Sequence, residues 1–189
     1  DGRSRTLPTP QSGSLLPENI CAAVQAVLLL GIEFGDDCLS RALGSTGLVG
    51  RRQERRVAEQ NFVLDVAHNP ASVVKLLEYL SLTSCYRKTL CLFSVMSDKD
   101  IPAIIAVAAG YFDAWFLADQ PDNKRAAAAS DIAALLNAAG EAIGSISNSL
   151  PQAFRRARDS MTTGDRLVVF GSFYTVAAIL PLLEEGNNQ

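Results

Sequence analysis

The rhythm of apolar positions changes near residue 53. Before it, Ile20, Ala23, Val24, Val27 and Leu28 recur at the 3.6-residue spacing of an amphipathic helix. Pro17 suits the first turn of that helix and Gly31 supplies its stop. A second short helix is predicted over 36–43, with Asp36 or Asp37 at its N-terminus, ahead of a Gly-rich turn at 44–50. Beyond residue 53, short β-branched and aromatic runs alternate with amphipathic stretches. Strands are predicted near 62–66, 89–95, 114–118, 142–146 and 167–171, and helices over 70–80, 100–109, 130–139, 151–161 and 173–183. Alternation at this spacing means βαβ units. The fold class expected is α/β and Rossmann-like: a mostly parallel sheet with helices on both faces, preceded by short helices.

Composition narrows this without redirecting it. Apolar residues make up 48% of the 189, charged residues 20%, and the formal charge is −3. That balance gives no electrostatic footprint for nucleic acid or an anionic membrane. Two apolar stretches, 20–32 and 101–118, are read as core: the first is too short to span a bilayer, and Gly110 and Asp113 interrupt the second. Cys21, Cys38, Cys85 and Cys91 show no CxxC spacing and read as buried thiols of a reducing compartment. The first residue is Asp1, and no secretory signal pattern follows it, so the chain reads as part of a longer polypeptide. Residues 1–14, rich in Pro, Ser, Thr and Gly, are expected to be a poorly ordered lead-in. The Ala-rich patch 126–129 reads as a surface loop entering a helix.

The histidine, His68, stands in Asp65-Val66-Ala67-His68-Asn69-Pro70, directly after the run Phe62-Val63-Leu64. A strand ending in Asp and breaking into His-Asn-Pro delivers polar groups at its carboxyl end, where α/β proteins bind ligands. Ser172 follows the last predicted strand in the same way. If both strands are central, Asp65, His68 and Ser172 converge on one crevice. The alternative is that Asp65 or Asn69 caps the helix opened by Pro70. Ser94-Val95-Met96-Ser97-Asp98-Lys99-Asp100 is a further strand-end loop: Lys99 and helix N-terminal amides could hold an anion, or Ser97, Asp98 or Asp100 simply caps and Lys99 is solvated. In the cluster Arg51-Arg52-Gln53-Glu54-Arg55-Arg56, Arg51 could grip a phosphate through its planar fork, or the cluster is a solvated edge. The chain has no GxxxxGK[ST] loop, no GxGxxG after a strand, no HExxH and no GxSxG. It does not carry a phosphate cradle of its own.

Five segments taken in order resemble the C-terminal part of the dihydrofolate synthase / folylpolyglutamate synthase family of the Mur ligase superfamily. They are Leu16-Pro17-Glu18-Asn19, Gly50-Arg51-Arg52-Gln53, Leu64 to Pro70, Ser97-Asp98-Lys99-Asp100, and Val169-Phe170-Gly171-Ser172-Phe173-Tyr174-Thr175-Val176-Ala177, and the resemblance covers about 15–183. It implies an ATP-dependent ligase that adds L-glutamate to dihydropteroate or a tetrahydrofolate through an acyl phosphate. It also implies an N-terminal ATPase domain of the same polypeptide that carries the phosphate loop, the magnesium sites and a modified lysine. On that basis residues 15–49 are the last helices of the ATPase domain, and 50–189 form the Rossmann-like domain that closes over ATP. Asn19, Arg51 and Asp65 match ATP-side positions, and His68, Ser172 and Lys99 match glutamate-side positions. Tyr174 departs from a His common in bacterial members. A cytoplasmic monomer is implied, inactive without the missing domain and making dihydrofolate, polyglutamate tails or both. The rival expectations are a non-catalytic nucleotide or amino-acid binding module and the corresponding domain of a peptidoglycan ligase.

Overall fold

The computed structural model describes residues 15–83 and 87–185, and the chain parts into two compact units between Arg51 and Arg52. In the first, α1 (Pro17–Leu29) and α2 (Asp36–Ser45) bury Ile20, Leu39 and Leu43 together. Helix α1 closes where the sequence predicts. Gly31 adopts φ +74°, and the N–H groups of Gly31 and Ile32 return to the carbonyls of Leu28 and Val27. This Schellman closure needs a left-handed residue, which an L side chain resists.

Two expectations about this unit fail. The stretch 20–32 is not all core: Leu28, Leu30 and Ile32 are exposed, and Leu29 is 88% exposed. One neighbouring helix covers one stripe, so the apolar residues outside that stripe stay uncovered among the described residues. Cys21 and Cys38 are exposed rather than buried, and Cys85 lies outside the described residues. Cys91 does lie in the core, where burial, aided by the charge of Glu141, raises its thiol pKa and keeps it unreactive.

The second unit is a six-stranded sheet. Its elements are β1 (Gln53–Val57), β2 (Gln60–Asp65), α3 (Pro70–Leu82), β3 (Thr89–Phe93), α4 (Ile101–Ala108), β4 (Ala114–Ala118), α5 (Ala129–Ala138), β5 (Ile143–Ser147), α6 (Leu150–Ser160), β6 (Arg166–Phe170) and α7 (Phe173–Glu185). The spatial order is β1-β2-β6-β3-β4-β5, with β1 antiparallel to β2 and every other pairing parallel. Residues on β6 alternate between the two faces. Val168 and Phe170 join α3, α4 and α5 in one core, while Leu167 and Val169 join α6 and α7 in the other. Both faces being covered explains why β3 and β6 read as unbroken apolar runs.

Strand β1, and with it the β1–β2 hairpin, is what the sequence did not predict: β2 was expected near 62–66, while the residues of β1 were read as part of a basic cluster that either grips a phosphate or is a solvated edge. Its turn residues Ala58 and Glu59 have φ +47° and +65°, with Val57 paired to Gln60. That is a two-residue turn with both central residues left-handed, a shape that Asn-Gly signals and Ala-Glu does not. Replacing Ala58-Glu59 with Asn-Gly is expected to raise stability by roughly 1 kcal/mol and the melting midpoint by about 2–4 °C. The exposed ion pair between Arg56 and Glu59 lost in the exchange contributes little. Thermal unfolding beside the parent protein decides it: an unchanged or lower midpoint shows that the turn is not strained.

Candidate functional site

Neighbouring strands β2 and β6 send their following helices to opposite faces: α3 packs in one core and α7 in the other. Such a switch opens a crevice outside the carboxyl ends of the two strands. Register puts Asp65 level with Phe170 and Phe170 level with Phe93. Asp65, His68 and Ser172 therefore stand at the same end of adjacent strands, as the sequence suggested, and the loop carrying Lys99 leaves the same end of β3, next to β6. Asn19 and Arg51 belong to the first unit. There, Asn19 is exposed and lines an apolar groove of about 550 Å³ between α1 and α2.

Asp65 is buried and is not a helix cap. Its carboxylate accepts the Arg52 N–H on Oδ2 at 2.9 Å and the Ala67 N–H on Oδ1 at 2.7 Å. Arg52 has φ +45°, and its guanidinium lies 5.4 Å from the Tyr79 ring centre. The carboxylate thus pins the approach to β1 against the end of β2. The capping role belongs to Asn69. Its Oδ1 accepts the Ser72 N–H at 2.9 Å, while the Ser72 hydroxyl accepts from Asn69 N–H at 3.2 Å, a reciprocal box. Ser72 Oγ also accepts the His68 N–H at 3.1 Å, so the turn holding the histidine is fixed from one turn downstream.

His68 is half-buried, and its Nδ1 sits 2.7 Å from the carbonyl oxygen of Val66. A carbonyl can only accept, so in the neutral ring Nδ1 carries the proton and Nε2 is left as an acceptor. Ser172 is buried at 5% exposure. Its Oγ accepts the Thr175 N–H at 3.0 Å, capping α7, and meets the Thr175 hydroxyl at 2.7 Å. Thr175 in turn donates to the carbonyl of Ser94 at 2.7 Å, which ties the start of α7 to the end of β3. Gly171 makes that closeness possible. At φ +120°, a Cβ there would fall 2.4 Å from the Ser94 carbonyl oxygen.

In the third loop Asp100 is the cap, accepting the Ala103 N–H at 3.1 Å. Lys99 pairs with Asp98 at 2.7 Å, and Arg125 approaches the same carboxylate at 3.6 Å. The bond from Lys99, ahead of its charge and that of Arg125, lowers the pKa of Asp98 below the usual carboxylate value. Falling pH protonates Asp98 only below that lowered value, and only then frees Lys99. The loop is braced by 126–129, which enters α5 as expected but does not lie wholly at the surface. Ala127 N–H bonds the Val95 carbonyl at 2.9 Å, Ala126 bridges to Met96, and Ala127 and Ala129 are buried. Small side chains let this segment lie directly on the end of β3. Ser72, Ser94, Thr175 and Gln120, whose amide donates to the Ser94 hydroxyl at 2.9 Å, are the supporting residues that sequence reasoning did not single out. Ser94 and Thr175 do fall within two of the flagged segments, which was the available signal.

The family model described as "Mur ligase, glutamate ligase domain" matches residues 50–173. The dihydrofolate synthase/folylpolyglutamate synthase of Escherichia coli K12 is 28% identical over 185 residues, 97% of this chain and 41% of that protein. The solved structure of E. coli FolC in complex with DHPP and ADP superposes with a TM-score of 0.82 at 26% identity, covering 95% of this chain and 41% of the other. A bifunctional folylpolyglutamate synthase/dihydrofolate synthase solved with Mn, AMPPNP and L-glutamate bound gives a TM-score of 0.79 at 28% identity, over 94% and 41% of the two chains. The chain spans about two-fifths of these relatives' length, on their C-terminal part. With a family model matched across 50–173, the chain belongs to the Mur ligases, through their glutamate ligase domain.

Proposed function

We propose that this chain is the C-terminal part of an ATP-dependent carbon–nitrogen ligase that joins L-glutamate to dihydropteroate or a folate. The observation that carries this is that Asp65, His68, Ser172 and Lys99 lie at, or in the loops that follow, the same end of adjacent strands, inside a segment that matches a glutamate ligase domain. The relatives solved with ADP, with AMPPNP and with L-glutamate support it. The reaction has two steps. The substrate carboxylate takes the terminal phosphoryl group of ATP, giving an acyl phosphate and ADP. The glutamate amine then attacks the acyl carbon, the C–N bond forms, and phosphate leaves with the C–O bond. Such chemistry depends on placement and charge more than on covalent help from the protein.

In this reading His68 and Ser172 hold the glutamate, Lys99 offers a cation to a carboxylate, and Asn19, Arg51 and Asp65 serve the nucleotide. Asp65 would act partly by fixing the backbone at Arg52. Among the described residues no three His, Cys, Asp or Glu side chains come together to hold a metal, so no step here is assigned to magnesium; the resemblance puts it on the ATPase domain. Residues 15–49 would be that domain's last helices and 50–189 the closing domain, in a monomeric enzyme of the cytoplasm. No helix among the described residues is long and apolar enough to cross a membrane.

In the complete ligase, His68→Ala is expected to raise the glutamate KM about tenfold or more while moving the ATP KM by less than about twofold. Steady-state phosphate release with dihydropteroate or a tetrahydrofolate as acceptor measures both. An unchanged glutamate KM removes His68 from the site, and no glutamate-dependent release with any folate acceptor overturns the reading.

A further inference from the structure

The hydroxyl protons beneath Ser172 can be assigned from the acceptors at which their chains end. The Ser94 carbonyl has no proton, so the 2.7 Å contact with Thr175 Oγ1 uses the threonine's only one. Between Ser172 Oγ and Thr175 Oγ1, 2.7 Å apart, Ser172 must therefore be the donor. Ser94 repeats the logic. Its hydroxyl donates to the Ala118 carbonyl at 2.9 Å and so can only accept from the Gln120 amide at 2.9 Å. Ser94 and Thr175 are both fully buried, out of reach of water that could offer other partners.

We propose that Thr175 is a positioning residue that turns the Ser172 proton inward, so that Ser172 meets the amino-acid substrate only as a hydrogen-bond acceptor. Ser172 gives its proton to Thr175 and one lone pair to the Thr175 N–H, at 3.0 Å. One lone pair remains. A lone pair repels carboxylates and suits an N–H donor, so Ser172 holds the amino group of glutamate and not its carboxylates. His68 has the same polarity, since in its neutral form Nδ1–H is spent on Val66 and Nε2 is the free acceptor. Turning the Ser172 proton outward to a carboxylate would leave two hydroxyl oxygens 2.7 Å apart with no proton between them, or strip the buried Ser94 carbonyl of its donor. The sheet end thus selects the nucleophile's nitrogen. The inference rests on the glutamate-site reading above and adds to it which group is held and what sets that choice.

The test compares glutamate with glutarate, the same dicarboxylate without the amine, in the complete ligase. Thr175→Val keeps the shape and removes the hydroxyl. It is expected to raise the glutamate KM about tenfold with the ATP KM moved less than about twofold, to leave inhibition by glutarate unchanged, and to be rescued by Thr175→Ser. Ser172→Ala should give the same split between glutamate and glutarate, and it decides the matter if Thr175→Val shows no cooperative melt. Glutarate that fails to compete in the parent enzyme also supports the inference, by making the amine the main anchor. Equal weakening of glutamate and glutarate, or a Thr175→Ser enzyme as impaired as Thr175→Val, overturns it. A glutamate KM unchanged in Thr175→Val alone overturns the inference and leaves the site reading standing; unchanged in Ser172→Ala, it sinks both.

Discussion

Gly171→Ala is expected to destabilise the second unit by about 3 kcal/mol or more, lowering its melting midpoint by roughly 6–12 °C. Two effects add at this position. A residue at φ +120° lies where side-chained residues are strained. The new methyl would also sit 2.4 Å from the Ser94 carbonyl oxygen and 3.0 Å from two ring carbons of Phe93. Those atoms belong to the neighbouring strand's end and to a fully buried ring, so neither can step aside without moving β3 from β6. Gly164→Ala provides the contrast. Gly164 has φ +92°, but its new methyl would meet only the Arg87 side chain, at 3.2 Å, which can swing into solvent. Its cost should stay near the backbone strain of about 1–2 kcal/mol. Equal losses in the two variants would show that the clash with Ser94 is not what holds Gly171.

The sheet was legible because both of its faces are covered. Unbroken apolar runs such as Leu90-Cys91-Leu92-Phe93 and Leu167-Val168-Val169-Phe170, bounded by turn residues, suit strands buried on both faces, and 114–118 was predicted residue for residue. What failed to show depends on partners distant in sequence. The first of these is Arg166, which opens β6 one residue before the strand predicted over 167–171. Its guanidinium is buried because it donates to the Leu80 carbonyl at 3.2 Å and to the hydroxyls of Thr83 and Thr89 at 2.8 and 3.2 Å, closing the end of α3. Strand β1 was hidden for a different reason, a left-handed turn into β2 made without glycine or asparagine.

The site divides along the same line. Asp65, His68, Lys99 and Ser172 were visible because polar residues interrupted apolar runs at strand ends, and the strand order then brought them to one edge. Their supports were not visible. Thr175 reaches across 81 residues to Ser94, and no periodicity announces such a bond. Asp65 was weighed against a cap, yet besides the nearby Ala67 N–H it binds a backbone N–H 13 residues upstream. Asn69, four residues on, does the capping instead.

Phe170→Ala is expected to cost about 3–5 kcal/mol, enough to unfold much of the population near physiological temperature. Phe170 is fully buried at the centre of an aromatic cluster, with ring centres at 4.8 Å from Phe93, 5.7 Å from Phe112 and 6.2 Å from Trp115. Truncation removes the transfer free energy of a ring and leaves a void between three rigid rings that cannot collapse to fill it. Phe170→Leu keeps most of the volume and should cost about 1.5 kcal/mol or less. Chemical denaturation of the two variants measures the difference directly, and a loss below about 1.5 kcal/mol for Phe170→Ala would show that the cluster repacks. The consequence reaches the site along two peptide bonds. Phe170 immediately precedes Gly171 and Ser172 and is level with Asp65 on one side and Phe93 on the other. The ring that fills the core is therefore also what sets the height of the Ser172 hydroxyl between them. In the complete ligase a folded fraction of Phe170→Ala should show a raised glutamate KM, whereas Phe170→Leu should keep the parent value.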